Sequence, residues 1–181
     1  MKDALLIILD IDETMVFSTL NPLSRIQDFM VDHYYVYRRP YLGDLILFCL
    51  DNFRIAVWSS SSSAYAEAMV NHIFPSPEKL EFIWSREQCT QRIDPETGQR
   101  YWLKNLKKVK HRGYGLDRIL MIDDSPEKLQ KNYGNHLLVR PFLGDEADNE
   151  LLDLKKYLEN IKETDNVRSL DKRGWRNQHF L

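Results

Sequence analysis

Three short apolar runs in this chain each end on residues that cannot stay in a core without a partner. Ala4 to Leu9 runs into Asp10-Ile11-Asp12-Glu13-Thr14, Arg54 to Trp58 into Ser59-Ser60, and Arg118 to Ile122 into Asp123-Asp124. Unbroken rather than alternating apolar character is what a strand covered on both faces requires, and that burial is typical of parallel sheets. Between the runs, Leu42, Leu45, Ile46, Cys49 and Phe53 recur at helical spacing after Pro40, which predicts a helix over 41–52. A second helix is expected over 64–73, stopped by Pro75 and Pro77, and Leu151, Leu154, Leu158 and Ile161 mark a closing one. Strands alternating with helices predict a three-layer α/β fold, a parallel sheet with helices on both faces.

The remaining segments add detail. His33 to Arg38, Glu81 to Trp84 and His136 to Val139 read as further strands. Gln88 to Leu103 reads as a hairpin turning through Asp94-Pro95-Glu96-Thr97-Gly98. Ser125 followed by Pro126 suits the start of a short helix. We expect residues 1–165 to form a single domain with a small β insertion at about 81–103. Residues 166–181 form a polar tail, either packed through Trp175 or loosely ordered.

Composition narrows the function classes. Twenty-five basic residues against 27 acidic ones leave a net charge of −2, so nothing draws the whole chain to nucleic acid or to an anionic membrane. Cys49 and Cys89 are too few for a disulfide framework, and the five histidines form no close pair, which argues against zinc. The apolar run at the N-terminus is too short to span a membrane and lacks a signal-peptide cleavage pattern. The expected location is therefore intracellular, cytoplasmic, with the nucleus open to a eukaryotic protein.

Chemistry collects at the strand ends. In open α/β sheets, ligands bind at the carboxyl ends of the strands, which would bring Asp10, Asp12, Asp123, Asp124 and Ser59 to one edge. Acids so crowded repel unless a cation neutralises them, and hard oxygen ligands favour magnesium. An EF-hand-type calcium loop does not fit, because Met15 stands where that loop needs glycine and Asn21 where it needs a bidentate glutamate. A serine run, Ser59 to Ser63, wedged between a strand and a helix is poorly placed for a flexible linker. A cation near such an acidic edge would offset part of its charge. Spacing alone leaves Lys104, Lys107, Lys108 and Lys110 as candidates.

These pieces resemble the haloacid dehalogenase-like phosphatases, within them the small C-terminal-domain phosphatase, or NLI-interacting-factor-like, group. The matching stretches are Leu9-Asp10-Ile11-Asp12-Glu13-Thr14-Met15-Val16, Arg39-Pro40, Val57-Trp58-Ser59-Ser60, Tyr65-Ala66, Tyr101-Trp102-Leu103-Lys104 and Ile122-Asp123-Asp124-Ser125-Pro126. The resemblance implies a Rossmann-like fold and a Mg2+-dependent phosphomonoester hydrolase that passes through a phospho-aspartate. It makes Asp10 the nucleophile and Asp12 the acid and base, with the Asp12 backbone carbonyl on the metal. Thr14 would support the loop by hydrogen bonding, Ser59 would hold a phosphoryl oxygen, and Lys104 would neutralise charge. Asp124 would ligate the metal together with Asp10, with Asp123 close behind. Ser59 stands where near relatives carry threonine, and Asp124 where many carry asparagine; both changes keep the chemistry.

The spacing also bears on substrate. Met15 to Trp58 has room for a loop, one strand and one helix, and 105–122 for less, so no large cap domain is expected. An uncovered site favours a phosphorylated protein, or another macromolecular phosphomonoester, over a small metabolite. The leading expectation is a phosphoserine or phosphothreonine protein phosphatase. The alternatives are a phosphatase of nucleic-acid ends or small metabolites, and a non-catalytic phosphopeptide-binding module; the acid Asp12 argues against the last.

Overall fold

The computed structural model describes residues 4–178; Met1 to Asp3 and the last three tail residues, 179–181, lie outside them. The expected parallel sheet is present. Its five strands are β1 (Leu6–Leu9), β5 (Arg54–Trp58), β6 (Ile83–Trp84), β9 (Ile119–Asp123) and β10 (His136–Leu138), in the order β10-β9-β1-β5-β6. Every pairing is parallel, with Leu9 opposite Val57 on one side and Ile122 on the other. From the central strand β1 the chain passes first to one side and later to the other, which creates a topological switch point at its carboxyl end.

All four residues of β1 are buried because each face of the sheet is covered. Leu5, Ile7, Leu9, Ile55, Val57, Leu120 and Ile122 point into one core with helices α1 (Leu42–Asn52), α2 (Ser63–Ile73) and α4 (Glu150–Ile161). Leu6, Ile8, Ala56, Trp58, Ile119 and Met121 point the other way, against Leu106, Val109, Leu129 and Phe82. That second layer is thin. Its α-helix is the single turn α3 (Lys107–Lys110), supplemented by the 3-10 turn Pro126–Leu129.

The segment between β1 and α1 holds more than the one strand its length suggested. β2 (Val16–Thr19), β3 (Phe29–Val31) and β4 (Tyr34–Arg38) make an antiparallel sheet in the order β2-β4-β3. His33 itself falls in the turn, and β4 belongs to this small sheet rather than to the parallel one. The expected hairpin is β7 (Thr90–Ile93) paired with β8 (Arg100–Leu103). Neither insertion is a cap domain. The tail packs as far as it is described: Val167 and Trp175 are buried, and Trp175 Nε1 donates to the Leu138 carbonyl at 2.9 Å.

Candidate active site

Asp10 follows directly on β1, and its amide continues the ladder by donating to the Ile122 carbonyl at 3.0 Å. The next residues turn back sharply. Glu13 takes a left-handed backbone conformation (φ 55°), and the Met15 and Val16 amides both reach the Ile11 carbonyl. This tight loop keeps Asp10 and Asp12 at the strand end while aiming their carboxyls at different partners.

Asp10 is almost fully buried and its two oxygens are separately held. Lys104 Nζ lies 2.9 Å from Oδ1, which also accepts the Ile11 amide at 2.8 Å, and Lys128 Nζ lies 2.9 Å from Oδ2. Burial alone would raise the Asp10 carboxyl, but the two ammonium groups prevail and hold it well below the usual carboxylate range. Lys104 comes from the end of β8 and bridges to Asp123 Oδ2 at 2.7 Å. Burial first, and then the Asp10 charge, raises Asp123.

Asp12 faces the other way. Its Oδ1 accepts the Tyr65 hydroxyl at 2.6 Å and its Oδ2 the Ser61 hydroxyl at 3.1 Å; Tyr65 also lies 2.8 Å from Ser18 Oγ. Burial pushes the Asp12 carboxyl above its ordinary value, the Asp10 charge adds to this, and the Tyr65 hydrogen bond opposes it. One acid is thus kept ionised and its neighbour biased toward holding a proton, the pattern expected of a nucleophile beside an acid.

The other expected residues gather as the strand ends require. Ser59 follows β5, fully buried, with its Oγ accepting the Ser61 amide at 3.0 Å. Thr14 departs from expectation. Its hydroxyl is buried with no hydrogen-bond partner among the described residues, and its carbonyl instead accepts Arg39 Nη1 at 3.1 Å. Arg39 in turn pairs with Asp148 through two bonds of 2.8 Å, fastening the loop to the segment ahead of α4.

Asp10, Asp123 and Asp124 each offer an oxygen within a span of 4.8 Å. An all-carboxylate donor set suits a hard divalent cation, and in this structure an ammonium already exploits it: Lys128 Nζ is 2.9, 3.5 and 3.7 Å from one oxygen of each acid. The site therefore fits the divalent metal that the family implies. The Asp12 carboxylate contributes no oxygen to this cluster.

Two side chains here escaped the sequence reading. Lys128 sits four residues after Asp124, beyond the strand-end motif. Tyr65 was visible only as part of a matched dipeptide, although a tyrosine in the first turn of α2 is in reach of the same sheet edge.

The family profile described as NLI interacting factor-like phosphatase matches residues 5–168, and the chain belongs to that family. It is 27% identical to the CTD small phosphatase-like protein 2 of Dictyostelium discoideum over 90% of this chain and 28% of that protein. It is 23% identical to the human carboxy-terminal domain RNA polymerase II polypeptide A small phosphatase 1 over 93% and 64%. The chain spans between 28% and 52% of the length of the two Dictyostelium relatives it matches. Its fold is similar to that of Fcp1, described as an essential RNA polymerase II CTD phosphatase, with a TM-score of 0.65, 16% identity, and coverage of 87% of this chain and 62% of that one.

Proposed function

We propose that this chain is a magnesium-dependent phosphomonoester hydrolase acting on phosphoserine or phosphothreonine in proteins. The observation that carries the reading is the divergence of Asp10 and Asp12: one carboxylate clamped by two ammonium groups, the other turned toward Tyr65 and Ser61. An Asp10 oxygen attacks phosphorus as the bond to the leaving oxygen breaks. Asp12 gives that oxygen its proton, leaving a phospho-aspartate. Asp12 then takes a proton from water, whose oxygen displaces Asp10 and releases phosphate. Two easier displacements replace one hard hydrolysis. Lys104 offsets negative charge on Asp10 and the transferring group, and Ser59 offers a hydroxyl to a phosphoryl oxygen. Asp10, Asp124 and the Asp12 carbonyl, with Asp123 behind them, would hold Mg2+, which when bound supplies further charge neutralisation.

The substrate reading rests on access. Among the described residues no cap covers the sheet edge, and the β2–β4 insertion, whose Ser18 touches Tyr65, exposes Leu20, Ile26 and Met30. Such surface suits a protein chain better than a sugar phosphate. The unpaired thiols Cys49 and Cys89 support an intracellular setting. The test is hydrolysis of p-nitrophenyl phosphate with and without Mg2+. Asp10→Asn should lose at least about 1,000-fold in kcat, as loss of a nucleophile does, and phosphopeptides should exceed sugar phosphates in kcat/KM. Equal activity of wild type and variant would end the reading.

A further inference from the structure

Lys128 stands on the 3-10 turn after β9, outside the strand-end residues that define the site. Its ammonium touches the same three acids whose oxygens form the candidate metal cluster. Lys104, the other cation, occupies the opposite side, on Asp10 Oδ1 and Asp123 Oδ2, and its side chain is completely buried. Lys128 is different in one respect: its side chain remains 15% exposed, so the ammonium has a route to solvent.

A divalent ion held by Asp10 and Asp124, with Asp123 behind them, would take up the space that the Lys128 ammonium fills. Two cations cannot share it, since charges a few Å apart in a poorly solvated pocket repel strongly. Lysine's four-carbon stem allows the head group to leave while the backbone stays put. The backbone there is fixed: the Lys128 carbonyl accepts the Lys104 amide at 2.8 Å.

We propose that Lys128 is a tethered competitor for the metal: its ammonium fills the acidic cluster in the metal-free protein and swings out toward solvent when a divalent cation binds. The inference rests on the reading of this cluster as a divalent-cation site. Its consequence is a metal affinity set lower than the acidic cluster alone would give, so that the protein answers to changes in free Mg2+ without needing substrate. An internal competitor weakens apparent affinity by the fraction of time it holds the site.

Calorimetric titration of the full chain with Mg2+ and with Mn2+ tests this without turnover. Lys128→Met, which keeps most of the stem and removes the charge, should bind both ions at least tenfold more tightly. Lys131→Met, an exposed lysine nearby, should not change binding. Equal or weaker binding by a folded Lys128→Met overturns the competitor role while leaving the metal site standing. No binding by wild type or variant overturns both. Wild type alone gives a second measurement, independent of whether the variant folds: the rate of reductive methylation at Lys128, read by mass spectrometry. That rate should rise severalfold on adding Mg2+. A rate that is unchanged or falls contradicts displacement.

Discussion

Asp10 and Asp12 stand two positions apart on one strand end, yet their surroundings push their carboxyls in opposite directions. For Asp12 the surroundings are chiefly Tyr65, whose hydroxyl fixes the carboxyl's orientation at 2.6 Å. Tyr65→Phe keeps the ring and removes that bond. We expect kcat for a substrate with a poor leaving group to fall about tenfold while KM stays within about twofold, since a general acid is worth 100-fold or more only when aimed. An unchanged kcat would show that Asp12 needs no such support. At this scale most of the site could be read from the chain, because Asp10, Asp12, Ser59, Asp123 and Asp124 all follow directly on apolar strands. Lys128 and Tyr65 could not. Each lies in the first turn of the following element, where sequence distance from the motif alone does not tell which way a side chain points.

At the scale of elements, the parallel strands and the longer helices were legible because burial on both faces, or on one stripe, leaves a clear period. The β2–β3–β4 sheet was not. Its strands have three to five residues and mix buried, half-buried and exposed positions without regular alternation, so only the aromatic β4 stood out as a strand, and its partners form only through tertiary pairing. The short α3, lysine-rich and one turn long, left no amphipathic signal. What joins these pieces to the site is the Arg39–Asp148 pair. Arg39 follows β4, its side chain is fully buried, and it spans from the Thr14 carbonyl to the segment before α4. Asp148→Ala would strand the guanidinium. Because Asp148 is itself 17% exposed, the cost should sit near the lower end for breaking a buried pair, about 3 kcal/mol in urea unfolding. A loss under about 1 kcal/mol would mean that water replaces the carboxylate freely.

The described residues form a sheet with one heavily and one lightly covered face, and among them nothing of domain size lies over the edge that carries Asp10 and Asp124. The polar C-terminal tail, ambiguous in sequence, contributes to the thicker side. Trp175 packs on Tyr157 with ring centroids 5.6 Å apart, and Arg176 pairs with Glu150. Trp175→Ala should therefore cost about 3 kcal/mol or more, the usual price of deleting a buried aromatic, as read by thermal or urea unfolding. A near-neutral result would make the tail an ornament on an already complete fold.

All of this converges on a covalent intermediate at Asp10. Asp12→Asn removes the base that the proposed mechanism needs to complete hydrolysis, and p-nitrophenyl phosphate, with its good leaving group, relieves the first step of its need for an acid. Mixing the two with Mg2+, quenching in acid and reducing with borohydride should convert the phosphorylated aspartate to homoserine, located by mass spectrometry. Homoserine is expected at position 10 and nowhere else. Turnover by wild type with no modification of Asp10 in the variant, or modification at another residue, would contradict it.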